Sequence, residues 1–188
     1  MPNCMLETTT ALVVGDYVFI QTMGRVVYRV NYLEGPGEPD KDGNYPNVIS
    51  MEGKAMKDIT DDDKMPLETI EVIGKGYGYG YGSLIYSDGL ILGKAHNGMF
   101  YAFDTDLHLV WSYQTTGSNY FSSVSCVDGM VFGGTLDGYL YVLDVKDGSL
   151  IAKEQVKEST KKTAMQPMTP IIFREGANYR IFLTWSTT

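Results

Sequence analysis

Apolar residues along this chain fall in short runs of about four to six positions, broken by polar pairs that contain glycine. Leu140-Tyr-Val-Leu143 and Met99-Phe-Tyr-Ala-Phe103 are typical runs. Both are rich in aromatic and branched side chains, which suit a pleated, half-buried surface. The breaks include Asp88-Gly89, Asn97-Gly98, Asp128-Gly129 and Asp137-Gly138. These residue types reach the positive φ angles of tight hairpin turns. No segment of this region carries helical apolar spacing of useful length. The pattern predicts antiparallel strands joined by hairpins.

The runs repeat. Tyr81 to Gln114 aligns with Phe121 to Gln155, and Asp88-Gly89, Asn97-Gly98 and Asp104 all recur 40 residues later. After Asp104 the first copy is one residue shorter, so Trp111 falls on Ala152. An earlier copy, Ala11 to Gly35, places Gly15 and Gly24 against Gly89 and Gly98 at a spacing of 74. A further copy begins with Thr169 to Phe173, turns at Glu175 to Asn178 and continues through Tyr179 to Thr184. A period of 40 with three hairpin-type turns predicts a four-stranded β-propeller blade, whereas a parallel β-helix has shorter coils and fewer hairpins. One such sheet cannot cover both its faces, so the units must stack side by side. The expected fold is all-β: a partial or half propeller of four-stranded antiparallel blades, about three and a half in this chain. Blade 1 is placed at about 8–35, an acidic insert at about 36–72 and blade 2 at about 76–115. Blade 3 follows at about 118–158 and an incomplete blade 4 at about 164–188.

The end of each unit resembles the PQQ-like repeat of quinoprotein alcohol dehydrogenases and of the outer-membrane assembly lipoprotein propeller. That repeat ends in Ala, any residue, Asp, two residues, Thr-Gly, three residues, Trp. Val142-Leu-Asp144-Val-Lys-Asp147-Gly148-Ser-Leu-Ile-Ala152 keeps the spacing, with Val for Ala and Ala for Trp. Ala102-Phe-Asp104 through Trp111 keeps Ala, Asp and Trp, is one residue short, and puts His108 where glycine is expected. The first copy carries Tyr28-Arg-Val-Asn31 at this point. The resemblance implies a propeller and an extracytoplasmic, mostly bacterial setting, and it leaves activity open because propellers host unrelated functions. It makes Asp104, Trp111, Asp144 and Gly148 structural markers. Recurrence at one point of each unit points the two carboxylates to turn-building rather than to paired acid–base work. Trp111 reads as packing between blades.

Composition narrows the function. The 188 residues carry a net charge of −8, and the sequence pI of 4.7 opposes binding to nucleic-acid phosphates or anionic membranes. No apolar run is long enough to span a bilayer, and Met1 to Thr10 has no signal-peptide pattern. Cys4 and Cys126 make neither a disulfide framework nor a metal-ligand spacing. The residues between the first and second copies, Glu34 to Val72, hold 11 acidic residues and 4 lysines, net −7 of the total. A solvated loop or small excursion between blades is the expectation for them. Asp40, Asp42 and Asn44 repeat the alternating oxygens of a calcium loop, without its glycine at the sixth position (Tyr45) or its acid at the twelfth (Met51).

Candidate ligand chemistry lies mainly in Lys75 to Gly82, KGYGYGYG. In an extended chain Tyr77, Tyr79 and Tyr81 share one face. They form either the lead-in to an innermost strand or, with Tyr120, an aromatic platform for a planar or sugar ligand. His96 and His108 lack neighbours at ligand spacing. Phe121-Ser-Ser-Val-Ser125 has no nucleophile elbow. Two function classes follow. One is a non-catalytic scaffold, expected without a cofactor, for a protein or glycan ligand. The other, implied by the resemblance, is a quinoprotein dehydrogenase or a piece of one, which would need PQQ and calcium held by a whole ring. With too few blades to close, the expected partner is a second copy completing the ring as a homodimer, or the missing blades of a longer chain.

Overall fold

A computed structural model describes residues 10–22, 26–60, 82–95, 97–117, 122–156 and 165–187. Three four-stranded antiparallel sheets carry the fold. The first is β1 (Leu12–Val14), β2 (Tyr17–Gln21), β3 (Val27–Asn31) and β4 (Val48–Ser50). The second is β5 (Ile85–Ser87), β6 (Leu90–Lys94), β7 (Met99–Phe103) and β8 (Leu109–Gln114). The third is β9 (Ser125–Val127), β10 (Met130–Gly134), β11 (Tyr139–Asp144) and β12 (Leu150–Gln155). In each, strand order follows chain order. A last hairpin pairs β14 (Ile171–Glu175) with β15 (Asn178–Phe182), and its flanks β13 (Met165–Pro167) and β16 (Trp185–Thr187) pair with each other. Helical structure among the described residues is confined to two short 3₁₀ turns, Met51–Gly53 and Met56–Asp58. The first strands β1, β5, β9 and β14 touch in succession. The sheets therefore stand as successive blades of a propeller that does not close on itself.

Turn chemistry explains the hairpins. Asp88 and Gly89 have φ of 52° and 83°, and Asp128 and Gly129 have 47° and 75°. Both central residues are positive, as the type I′ turn requires. The third turns of blades 2 and 3 are each built on an aspartate. Asp104 Oδ1 accepts from the amides of Asp106 (2.8 Å) and His108 (2.9 Å), and Asp144 Oδ1 accepts from the Lys146 amide (2.8 Å). In blade 3 the left-handed position falls on Gly148 (φ 70°), and in blade 2 it falls on Leu107 (φ 64°). The residue standing in for the repeat's glycine is thus Leu107, not His108. A left-handed leucine costs about 1 kcal/mol or more. Full burial of its side chain in the core between blades 1 and 2 offsets that cost.

The fourth strand of blade 1 comes from within the stretch read as the acidic insert. Val48–Ser50 pairs with Tyr28–Val30, so blade 1 continues past residue 35. Beyond it, Met51 is buried, the Glu52 amide donates to Leu107 O (2.8 Å), and Glu52 Oε1 accepts from the Leu109 amide (2.9 Å). This part of the insert is docked on blade 2 rather than solvated. Residues 61–72 lie outside the described set.

Burial alternates along single strands. Ile91 packs with Phe19 and Val27 of blade 1, while its neighbour Leu92 packs with Val131 and Leu143 of blade 3. Adjacent side chains point to opposite faces of a strand, and here both faces are covered. Phe132, Leu140 and Val142 then bury the next seam against Ile172 and Leu183. Trp111 closes the second seam. Its indole N–H donates to Val145 O (2.8 Å), and its ring lies on Gly148, where a Cβ would come within 2.5 Å of it.

Two substitutions test this seam. Trp111→Ala should lower unfolding free energy by about 3–5 kcal/mol. Gly148→Ala should cost about 2 kcal/mol or more, from the clash and the positive φ together. Urea unfolding followed by circular dichroism measures both, and a loss under 1 kcal/mol for either would contradict the packing.

Candidate functional site

Polar groups in this molecule concentrate where one blade meets the next. Two residues ahead of each first strand runs a relay of hydroxyls. The Thr10 amide donates to Ser83 Oγ (3.2 Å), the Ser83 amide to Ser123 Oγ (2.7 Å), and the Ser123 amide to Thr169 Oγ1 (2.9 Å). Each residue gives its N–H to the side chain of its counterpart in the following blade. At the outer end of the first seam, Arg29 of β3 donates to Thr105 O (2.7 Å) and to Asp106 Oδ1, and its guanidinium lies 4.5 Å from the Tyr17 ring centre. At the third seam Tyr179 donates to Asp128 Oδ2 (2.6 Å), with Arg174 3.4 Å from the same oxygen.

The second seam holds the most unusual group. Lys94 ends β6 and is fully buried. Its Nζ donates to Ser122 Oγ (2.9 Å) and Gly134 O (2.7 Å) and sits 5.4 Å from the Phe100 ring centre. Among the described residues no carboxylate pairs with it. Burial pushes its pKa down from 10.5 to about 7. A neutral amine has two N–H bonds, and the site supplies two acceptors. Sequence reasoning missed this residue, because a lone lysine closing the run Leu90-Ile-Leu-Gly-Lys94 reads as the polar end of a strand. Nearby, Tyr101 lies across Gly93 and donates to Gln21 Oε1 (2.7 Å), joining blade 2 to blade 1. Tyr141, its counterpart 40 residues on, shares a hydrogen bond with Thr116 (2.8 Å).

Asp40, Asp42 and Asn44 do come together, but as a self-contained turn. Asp40 Oδ1 accepts from the amides of Asp42 and Asn44, both at 2.9 Å, and both its carboxylate oxygens accept from Asn44 Nδ2. These bonds, those of Asn44 first, hold the Asp40 carboxyl below its ordinary range. A cleft of about 340 Å³ beside the turn is lined by Glu38, Asp40, Tyr45 and Lys57. Among the described residues no group of three or more His, Cys, Asp or Glu side chains could hold a metal ion. Asp104 is held below its ordinary range as well: burial works to raise it, and hydrogen bonds from His108 and Asp106 outweigh that. Cys126 is half-buried beside Ser87 Oγ (3.3 Å). Tyr77, Tyr79, Tyr81 and Tyr120, with His96 and Cys4, lie outside the described residues.

No protein-family model matches this chain, and no curated protein matches it. Solved structures do. The computationally designed Ika8 protein is 10% identical at a TM-score of 0.56, over 95% of this chain and 45% of its own. BamB from Moraxella catarrhalis is 11% identical at 0.54, over 94% of this chain and 42% of its own. The computationally designed Ika4 protein is 9% identical at 0.56, over 97% of this chain and 95% of its own. This chain thus spans less than half the length of the Ika8 and BamB chains. At such identities the likeness is one of fold.

The buried amine makes stability depend on pH. Below about pH 7 Lys94 is charged in both states and its burial cost is complete. Between there and 10.5 only the unfolded chain holds the proton, so the folded state gains as pH rises. Wild type should therefore gain on Lys94→Met by on the order of a few kcal/mol between pH 6 and pH 10, read as the difference between their urea unfolding free energies. A pH-independent difference would rule out a neutral buried amine.

Proposed function

We propose that this protein is a non-catalytic propeller scaffold, a framework of blades that presents loops to a protein or glycan ligand. The observation that carries this reading is the use made of its polar side chains. Lys94, Asp104, Asp128, Nη1 of Arg29 and the hydroxyls of Ser83, Ser123 and Thr169 all spend their hydrogen bonds within a blade or across a seam. An active site keeps such groups directed at a substrate. The resemblance of the repeat to PQQ-like units favours an extracytoplasmic setting. No helix of the described residues is long and apolar enough to cross a membrane.

On this reading the tyrosines Tyr77, Tyr79, Tyr81 and Tyr120 form the aromatic platform, and a second copy or the remaining blades of a longer chain complete the ring. Two experiments test it. Incubation with PQQ and calcium should give no cofactor absorbance and no dye reduction with alcohols; uptake with turnover would replace the scaffold by an oxidoreductase. On a glycan array the wild type should bind ligands that Tyr79→Ala binds at least tenfold more weakly. Equal binding by the two would remove the platform.

A further inference from the structure

The ends of the blade row present two different faces of the same repeat. In blades 2 and 3, Ile91 and Val131 turn toward the preceding blade, and hairpin register places Val18 at the same position in blade 1. Val13 and Ile20 lie on that face with it, and Val13 is 61% exposed. At the other end the counterparts of Phe19, Leu92 and Phe132, each buried by the blade that follows it, give way to Arg180. The face that Arg180 shares carries Ile171, Phe173 and Phe182, which are 60%, 50% and 55% exposed. Phe173 and Phe182 pack edge to face at 5.1 Å. Among the described residues, two apolar sheet faces that are buried at each internal seam are thus exposed, one on blade 1 and one on the terminal hairpin.

The hydroxyl relay shows what fits them. Its rule is that an amide donates forward to the next blade's hydroxyl. The relay stops at Thr169, whose amide has no acceptor among the described residues, and it starts at Thr10, whose hydroxyl has no donor among them. One end therefore needs what the other supplies. With each terminal hairpin and its paired flanks taken as one blade, two copies placed head to tail bring eight blades around one axis, within the four to eight of closed propellers. We propose that a second copy of this chain closes the ring. The terminal hairpin of each copy packs on blade 1 of the other, and Thr169 N–H donates to the partner copy's Thr10 hydroxyl. The seam forms twice about a two-fold axis, so the assembly stops at two. This deepens the scaffold reading and rests on its fold. A monomer would remove it while leaving the cofactor and glycan results untouched.

Light scattering during size exclusion tests it. The chain should elute at about twice 20.9 kDa, with dissociation only on dilution. A 20.9 kDa species at 100 µM or above, or an open-ended polymer, overturns the proposal. Phe173→Asp with Phe182→Asp, on the hairpin, should give monomers. So should Val13→Asp with Ile20→Asp, on blade 1. Mixing the two variants should restore a two-chain species, because each mixed pair keeps one intact seam; a mixture that stays monomeric overturns the head-to-tail arrangement. Thr10→Ala, which leaves the apolar faces alone and removes one hydrogen bond at each of the two seams, should weaken dimerisation about 5–100-fold without changing the far-ultraviolet circular dichroism. Unchanged affinity in that variant overturns the relay contact.

Discussion

A four-stranded antiparallel sheet with apolar side chains on both faces is unstable until both faces are covered, and this chain answers that constraint with more copies of the same sheet. Neighbouring residues on one strand therefore serve different seams, Ile91 facing blade 1 and Leu92 facing blade 3. The burial that holds the molecule together is almost entirely between blades. It follows that residues closing a seam, such as Trp111 on Gly148, carry more stability than residues that only shape a blade.

Covering both faces also forces polar groups into the seams, where an unpaired donor or acceptor is costly. The molecule meets this with contacts that span the seam rather than with water-facing loops. Amides just ahead of the first strands find the hydroxyls of the next blade, Tyr101 reaches Gln21, and Lys94 reaches Gly134 O. The buried lysine carries a conditional cost, because its two acceptors suit a neutral amine better than an ammonium ion. That ties the stability of the seam between blades 2 and 3 to proton concentration.

The acidic stretch after blade 1 shows how a local reading can misplace a boundary. Its charge and its glycines and prolines describe a solvated loop, yet three of its residues, Val48–Ser50, complete a sheet. A three-residue strand has too little periodicity to be seen in sequence, and its partner β3 lies some seventeen residues earlier. The turn at Asp104 to His108 is similar. Its shortened spacing was visible, but which residue takes the left-handed backbone was decided by what could be buried, and Leu107 is buried where His108 is exposed.

The sequence by itself determined the repeat length, the hairpin turns and the stacking of blades, because turns are local chemistry: Asp88-Gly89 and Asp128-Gly129 take the same pair of positive φ angles in two blades. It also marked Asp104, Trp111, Asp144 and Gly148 as the points where units end. Only the tertiary structure decided that Lys94 is buried, that Leu107 takes the glycine's place, and that a relay of hydroxyls joins the first strands. Those contacts link residues 28 to 73 positions apart, and a side chain's fate at such distances depends on what the facing blade offers rather than on its own neighbours in the chain.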